Sequence, residues 1–375
     1  MPMDGAGNGW SLMQDGTAWL LFNGQSGPRG GEEVKVPNWW MGMATRKVGR
    51  GTLTLSSMLS LDPATVGARG YRELFQVGEA YDGNPITDRQ HPHDLWMRLS
   101  ASWRVPFGAT TALMLSGGPS SEPALGPQAF MHRASAAALP LAPLTHHTFD
   151  STHVAFGVAT LGVEHRAVTL EASVFNGREP DQHRWDFDFG RMDSVSARLS
   201  VRPSRQWTMQ VSTGHLVEPE QLAHGNVERT TASASYLGGS ETRPLAVTLG
   251  VGANHTHDAT RRAAFGEVSQ WWDRNVISVR AEALELESAL VLNGVEPLTD
   301  EDEARKDLIA AFTVAGLRRV KVVKNLAVSL GASGTVFAVP AVFQPTHGTH
   351  PVSVQLTLQV RPMTAGRSTM PHEMH

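Results

Sequence analysis

Apolar and polar side chains alternate with a two-residue period along much of this chain. Val352, Val354, Leu356, Leu358 and Val360 alternate with Ser353, Gln355, Thr357, Gln359 and Arg361. The pattern returns at Val195, Ala197, Leu199 and Val201, and at Val168, Leu170, Ala172 and Val174. It also runs through Ile277, Val279, Ala281 and Ala283, and through Leu95, Met97, Leu99, Ala101 and Trp103. Successive strand side chains point to opposite faces, so each segment predicts a strand with one apolar and one polar face. Counting such segments predicts about sixteen strands of membrane-spanning length. Fourteen is the alternative, because Ala264 to Trp272 alternates poorly and Trp39 to Ala44 is ambiguous.

Alternation alone also suits a soluble sandwich, whose apolar faces would form the core. The connections separate the two cases. Very short links fall at Lys47 to Arg50, Pro106 to Ala109, His165 to Ala167, Pro203 to Gln206 and Trp272 to Asn275. Between them lie longer polar segments at 62–93, 118–152, 177–191, 218–227, 255–262, 288–306 and 340–350. Outer-membrane barrels have short periplasmic turns and longer extracellular loops. The apolar faces carry no charge, whereas the opposite faces hold Arg98, Arg104, Glu171, Arg198, Arg280 and Glu282. Trp103, Trp207 and Trp271 or Trp272 fall beside short turns, where an interfacial aromatic girdle is expected.

The expected fold is therefore all-β: one closed antiparallel transmembrane β-barrel over 10–362. A tail at 1–9 precedes it and a disordered His/Met-containing tail at 363–375 follows. An even strand count puts both ends of the barrel on the periplasmic side. The expected location is the bacterial outer membrane, with its lipid as a partner. No apolar run reaches the ~20 residues of a helical span. Met1-Pro2-Met3-Asp4-Gly5 has neither the basic start nor the apolar run of a signal peptide, so the chain reads as a mature or truncated one.

Charge changes this picture little. With 32 basic and 36 acidic residues the formal net charge is −4, and no basic stripe marks a nucleic-acid surface. The absence of cysteine excludes thiol chemistry and cysteine-bound zinc. Histidine is more informative, since thirteen of the 16 fall in or beside the long segments. His91 and His93 lie beside Asp94, His146 and His147 lie near His153, and His255 and His257 repeat the two-residue spacing. Such pairs are candidate ligands for a divalent or copper ion, with a carboxylate as third ligand or hydrogen-bond acceptor. Their alternative role is hydrogen bonding within polar loops. The terminal Met370-Pro371-His372-Glu373-Met374-His375 adds soft ligands.

Two segments concentrate charge. Loop 62–93 contains Arg72, Glu73, Glu79, Asp88 and Arg89 within a mixed run from Tyr71 to Tyr81, which predicts a short helix folded into the lumen as a constriction. The second contains Arg178, Glu179, Asp181, Arg184 and Asp186. Both equally suit a salt-bridged plug. A catalytic reading rests on Asp150, Ser151 and His153, without a nucleophile elbow or phosphate loop. No catalytic residue is assigned.

The strings Gly70-Tyr71-Arg72-Glu73-Leu74-Phe75-Gln76-Val77-Gly78-Glu79-Ala80 and Asp88-Arg89-Gln90-His91-Pro92-His93-Asp94 carry a resemblance. Pro37-Asn38-Trp39-Trp40-Met41-Gly42-Met43, Met58-Leu59-Ser60-Leu61-Asp62-Pro63 and Phe175-Asn176-Gly177-Arg178-Glu179-Pro180-Asp181 extend it over most of the chain. The chain resembles a family of bacterial outer-membrane β-barrel proteins found in places alongside copper and other heavy-metal resistance systems. The resemblance implies a barrel and carries no activity. The leading expectation is a channel or binding barrel for metal ions or small solutes. The alternatives are an outer-membrane enzyme acting on lipid or cell-envelope substrate, and a plugged structural or adhesion barrel. Oligomeric state is left open.

Overall fold

The structure is a computed structural model that describes residues 9–77, 79–222, 225–257, 259–293 and 305–363. Sixteen strands close into one antiparallel barrel. The first five are β1 (Ser11–Gln25), β2 (in two pieces, Gly31–Lys35 and Asn38–Val48), β3 (Gly51–Leu59), β4 (Trp96–Phe107) and β5 (Thr111–Ser121). The next six are β6 (Ala155–His165), β7 (Val168–Phe175), β8 (Ser194–Val201), β9 (Trp207–Leu216), β10 (Val227–Ser240) and β11 (Arg243–His255). The last five are β12 (Thr260–Trp272), β13 (Asn275–Glu287), β14 (Lys306–Val323), β15 (Leu326–Ala338) and β16 (Val352–Pro362). Each strand pairs with its neighbour in sequence, and β1 pairs with β16 to close the ring, with Trp19 opposite Gln359. Apart from Gly9 and Met363, the expected tails lie outside the described residues.

Local chemistry explains the ambiguous segments. β2 is interrupted at Pro37, which has no N–H for the ladder, although its carbonyl still accepts from Trp19 N at 2.9 Å. β12 is continuous, but its inward row reads Ala263, Phe265, Glu267, Ser269 and Trp271, all buried. That row alternates poorly because it faces packed protein rather than water.

The barrel is inverted relative to a soluble one. Leu115, Leu161, Leu249, Phe312, Val314, Leu330 and Leu356 are exposed on the outside. Gln355, Thr357, Ser212, Thr231, Thr248, Glu267 and Arg280 are buried on the inside. Apolar residues facing out and polar residues facing in suit a lipid surround. Trp103 and Trp207 face outward near short turns, Trp207 against Tyr236 with ring centroids 5.1 Å apart. Of Trp271 and Trp272, Trp271 is only 9 % exposed and packs inside the barrel, which leaves half-buried Trp272 on the outward face.

Inward polar groups are buried because loops fill the lumen. The main filler is 122–154, between β5 and β6, which has only single helical turns such as His146–Phe149. Loop 60–95 enters beside it. The helix expected over Tyr71 to Tyr81 does not form. Tyr71–Arg72 pairs with Arg89–Gln90 and Glu79–Tyr81 with Asn84–Ile86. Phe75 takes a φ of 69° there, and the Asp88 carboxylate accepts its N–H at 2.8 Å, a local bond that competes with helix.

The outward band gives a direct test. Leu161→Arg places a charge on the lipid face and is expected to destabilise folding into liposomes by about 2–4 kcal/mol if it sits at the bilayer midplane. Inward Thr357→Ser is expected to leave the folding free energy nearly unchanged. Equal effects of the two in equilibrium folding titrations would contradict the assignment of faces.

Candidate functional site

Single turns inside the filling loop satisfy part of its backbone, such as His132 N on Ala129 O at 2.9 Å and Asp150 N on His146 O at 3.0 Å, and its other buried N–H groups need acceptors from elsewhere. Side chains on the inner wall supply them. Ala124 N donates to Ser173 Oγ at 2.8 Å and Gly126 N to Ser212 Oγ at 2.8 Å. Ala138 N donates to Ser278 Oγ at 3.0 Å, and Thr145 N to Glu282 Oε1 at 3.1 Å. In return Ser269 Oγ donates to Ser135 O at 2.7 Å, and Arg229 Nη2 donates to His147 O at 2.7 Å. At Gly126 (φ +79°) a Cβ would lie 2.1 Å from Phe149 O, so a side chain is excluded.

A buried charge network fixes the centre. Arg133 donates to Glu267 through Nε at 2.9 Å and Nη2 at 3.0 Å, and to Asp150 through Nη1 at 2.9 Å. Arg280 Nε reaches the same Glu267 at 2.9 Å, and Ser135 Oγ adds a bond to Glu267 at 3.0 Å. Burial pushes the Asp150 carboxyl up, but Arg133, then His146, outweigh it and hold it well below the usual carboxylate range.

The structure brings five of the expected histidines together at the long-loop end. The His146 ring lies 5.4 Å from His147, 5.4 Å from His153 and 6.4 Å from His91. His91 is 6.2 Å from His147, and His93 is 5.6 Å from His153. Oxygens hold four of them at Nδ1: His146 by Asp150 at 2.8 Å, His93 by Asp62 at 2.8 Å, His153 by the Asp150 carbonyl at 2.7 Å, and His147 by Glu179 at 3.3 Å. His255 and His257 stay exposed, and His255 bonds Thr260 Oγ1 at 2.7 Å. Among the described residues no three His, Cys, Asp or Glu side chains are placed to hold a metal ion. The cluster is joined by edge-to-face rings and hydrogen bonds as it stands.

The charged segments meet too. Asp94 and Arg184 form a buried pair at 3.1 Å, and Trp96 stacks on Phe187 at 5.2 Å. Asp88 accepts from Phe75 and faces His347 Nε2 at 3.0 Å. Arg89 pairs with Glu33 at 3.1 Å, and Arg72 Nη1 donates to Gly30 O at 3.1 Å. Arg178 pairs with Asp193 at 3.0 Å, Glu179 with His147, and Asp181 accepts from His183 N at 2.6 Å. Asp186 is exposed. Glu73 is buried against the wall, where burial, then Glu282, pushes its carboxyl well up. The Glu79 side chain lies outside what is described. Of the residues of the catalytic reading, Ser151 Oγ accepts from Arg229 at 3.0 Å and His153 Nδ1 faces the Asp150 carbonyl at 2.7 Å.

Sequence reasoning missed Arg133, Ser135, Thr145 and Glu267. A signal existed in Ala134-Ser135-Ala136-Ala137-Ala138-Leu139-Pro140-Leu141-Ala142-Pro143-Leu144, which is too apolar for a loop in water.

Below the filling loop, toward the short turns, a chamber of about 270 Å³ remains. Its walls include Trp19, Trp39, Trp271, His132, Leu139 and Arg319.

No family model matches the chain, and no curated protein matches it in sequence. The outer-membrane barrel that the resemblance implies is supported by the fold, and its association with heavy-metal resistance systems gains no support. Solved outer-membrane barrels do share the fold. An anion-selective porin from Comamonas acidovorans aligns with TM-score 0.54 at 9% identity, over 94% of this chain and 100% of that one. OmpF of Salmonella typhi, solved with daunomycin, gives 0.52 at 9% over 94% and 98%. A loop L8 deletion mutant of OmpT, an outer-membrane protein of Vibrio cholerae, gives 0.52 at 8% over 94% and 99%. The chain is an outer-membrane β-barrel of the architecture these proteins share. Its place is the bacterial outer membrane.

Acid gives a test of the loop's anchorage. Burial lowers His146, and burial with His146 and His93 lowers His153 further. The inserted loop thus favours neutral imidazoles, whereas a released loop takes protons near about 6.5. Their contribution to insertion is full above that pH and falls as pH drops below it. Glu73 and Asp94, raised mainly by burial, act in the opposite sense. Comparison with His146→Asn/His153→Asn isolates the imidazole share. Between pH 7 and 5, amide protection at 134–149, taken relative to the intrinsic exchange rate at each pH, is expected to drop more in the wild type than in that variant. Identical pH profiles would contradict it.

Proposed function

We propose that the protein is an outer-membrane channel for small solutes whose lumen is closed by a displaceable plug formed by 122–154. The observation that carries this reading is the chemistry of the plug's attachment. Its backbone is held by serine, threonine, glutamate and arginine side chains of the wall. Such bonds exchange for water at a modest net cost of about 0.5–1.5 kcal/mol each. An empty wall of this composition would be a wetted pore. The porin-like architecture supports the reading. Metal ions as the solute form a narrower version, supported by the five clustered histidines. It requires those rings to re-aim, since no three donors among the described residues converge.

The extent of burial favours a second reading, a permanently closed structural barrel. Inward groups on many strands are almost wholly covered, among them Asn23, Ser212, Thr231, Glu267, Ser278 and Ser353.

Planar-bilayer recordings separate the two. Wild type is expected to show rare openings, and replacement of 127–146 by a Gly/Ser linker is expected to give sustained conductance. Arg133→Ala leaves Glu267 and Asp150 with buried, under-compensated charge, a loss of about 3–5 kcal/mol, and is expected to raise open probability. A folded, plug-replaced barrel that carries no current would rule out the channel.

A further inference from the structure

The chamber below the plug is unlike the rest of the lumen. Other apolar stretches of the inner wall, such as Phe265, Leu284, Ile309 and Phe337, are packed over by loop side chains, but here Trp19, Trp271, Val276 and Leu317 from the wall meet Ala136 and Leu139 of the plug beside open space. Trp39 stands edge-on to His132, with centroids 4.9 Å apart. The lining continues to Asp273, Arg274 and Asn275 at a short turn and to Pro362 at the end of β16, so the chamber opens on the short-turn side.

The charges at the mouth are unequal. Asp15 is occupied by Arg361, with Nε at 3.1 Å from Oδ1. Arg133 at the roof is committed to Glu267 and Asp150. Arg274 and Arg319 have no ion-pair partner among the described residues and stand against the single carboxylate of Asp273. Tryptophan rings pack against flat apolar groups, and a guanidinium recognises a carboxylate through a planar fork of donors.

We infer that this chamber is a binding site, entered from the periplasmic side, for a small molecule with a flat apolar body and one anionic group. The aromatic walls take the body, and Arg319 with Arg274 takes the anion. Burial keeps His132 neutral, its imidazole lowered to about 3, so this ring adds no charge at the roof. The site lies below the plug and does not need it to open. It therefore stands whether or not the barrel conducts.

The test uses the full-length barrel in nanodiscs, with empty nanodiscs as blank and isothermal titration as readout. The probes are indole-3-acetate, which has both features, indole-3-acetamide, which lacks the charge, and acetate, which lacks the ring. Indole-3-acetate is expected to bind saturably, and each of the others at least about tenfold more weakly. Arg274→Gln/Arg319→Gln is expected to weaken indole-3-acetate by about tenfold or more. Ala137→Trp, which fills the chamber, should abolish it. Heat-modifiable migration on gels establishes that each variant is folded. No saturable binding above the blank would leave a merely wet chamber and overturn the site. Binding that survives Ala137→Trp would place it elsewhere, and equal binding of the acetamide would overturn the anion assignment.

Discussion

A loop without regular structure lies inside the barrel, and its buried backbone has to find hydrogen-bond partners there. Everything distinctive about the interior follows from that constraint. Serines at 173, 212 and 278, with Glu282, accept loop N–H groups, and Arg229 donates to a loop carbonyl. The wall's side chains do for the plug what a neighbouring strand would do in a sheet. Because these partners are polar, the lumen remains a surface that water can wet once the loop leaves.

The charge network is the costly part of this arrangement. Glu267 sits between Arg133 of the plug and Arg280 of the wall, with none of the three exposed. Buried ion pairs add little net stability against an apolar alternative, but losing one member is expensive. Such a network therefore serves position more than strength. It locates the plug at one depth and leaves the histidine cluster above it and the aromatic chamber below.

The wall of the barrel was legible in the sequence because lipid and lumen impose a two-residue period. Val352 to Arg361 states both faces outright. β12 was harder to read for the same physical reason that makes it interesting: Phe265 and Trp271 point inward against packed protein and break the code. The convergence of His91, His93, His146, His147 and His153 was half legible. Their side of the membrane followed from loop lengths, but contact between segments more than fifty residues apart depends on how loops fold into the lumen. Loop 62–93 does enter the lumen, against Pro143 and the inner wall, but the larger occupant is 122–154. Charge density drew attention to 62–93, while the apolar run at 134–144, which marks a loop hidden from water, pointed to the main occupant.

The central claim is that the lumen is shut by the 122–154 segment held against the wall. A disulfide tests it most directly, since the chain has no native cysteine. Ser135 Oγ of the plug lies 2.7 Å from Thr248 Oγ1 of the wall, both buried. In a Ser135→Cys/Thr248→Cys barrel, single-channel recording is expected to show silence under oxidation and openings restored by reductant. Equal conductance in the two states would contradict the account.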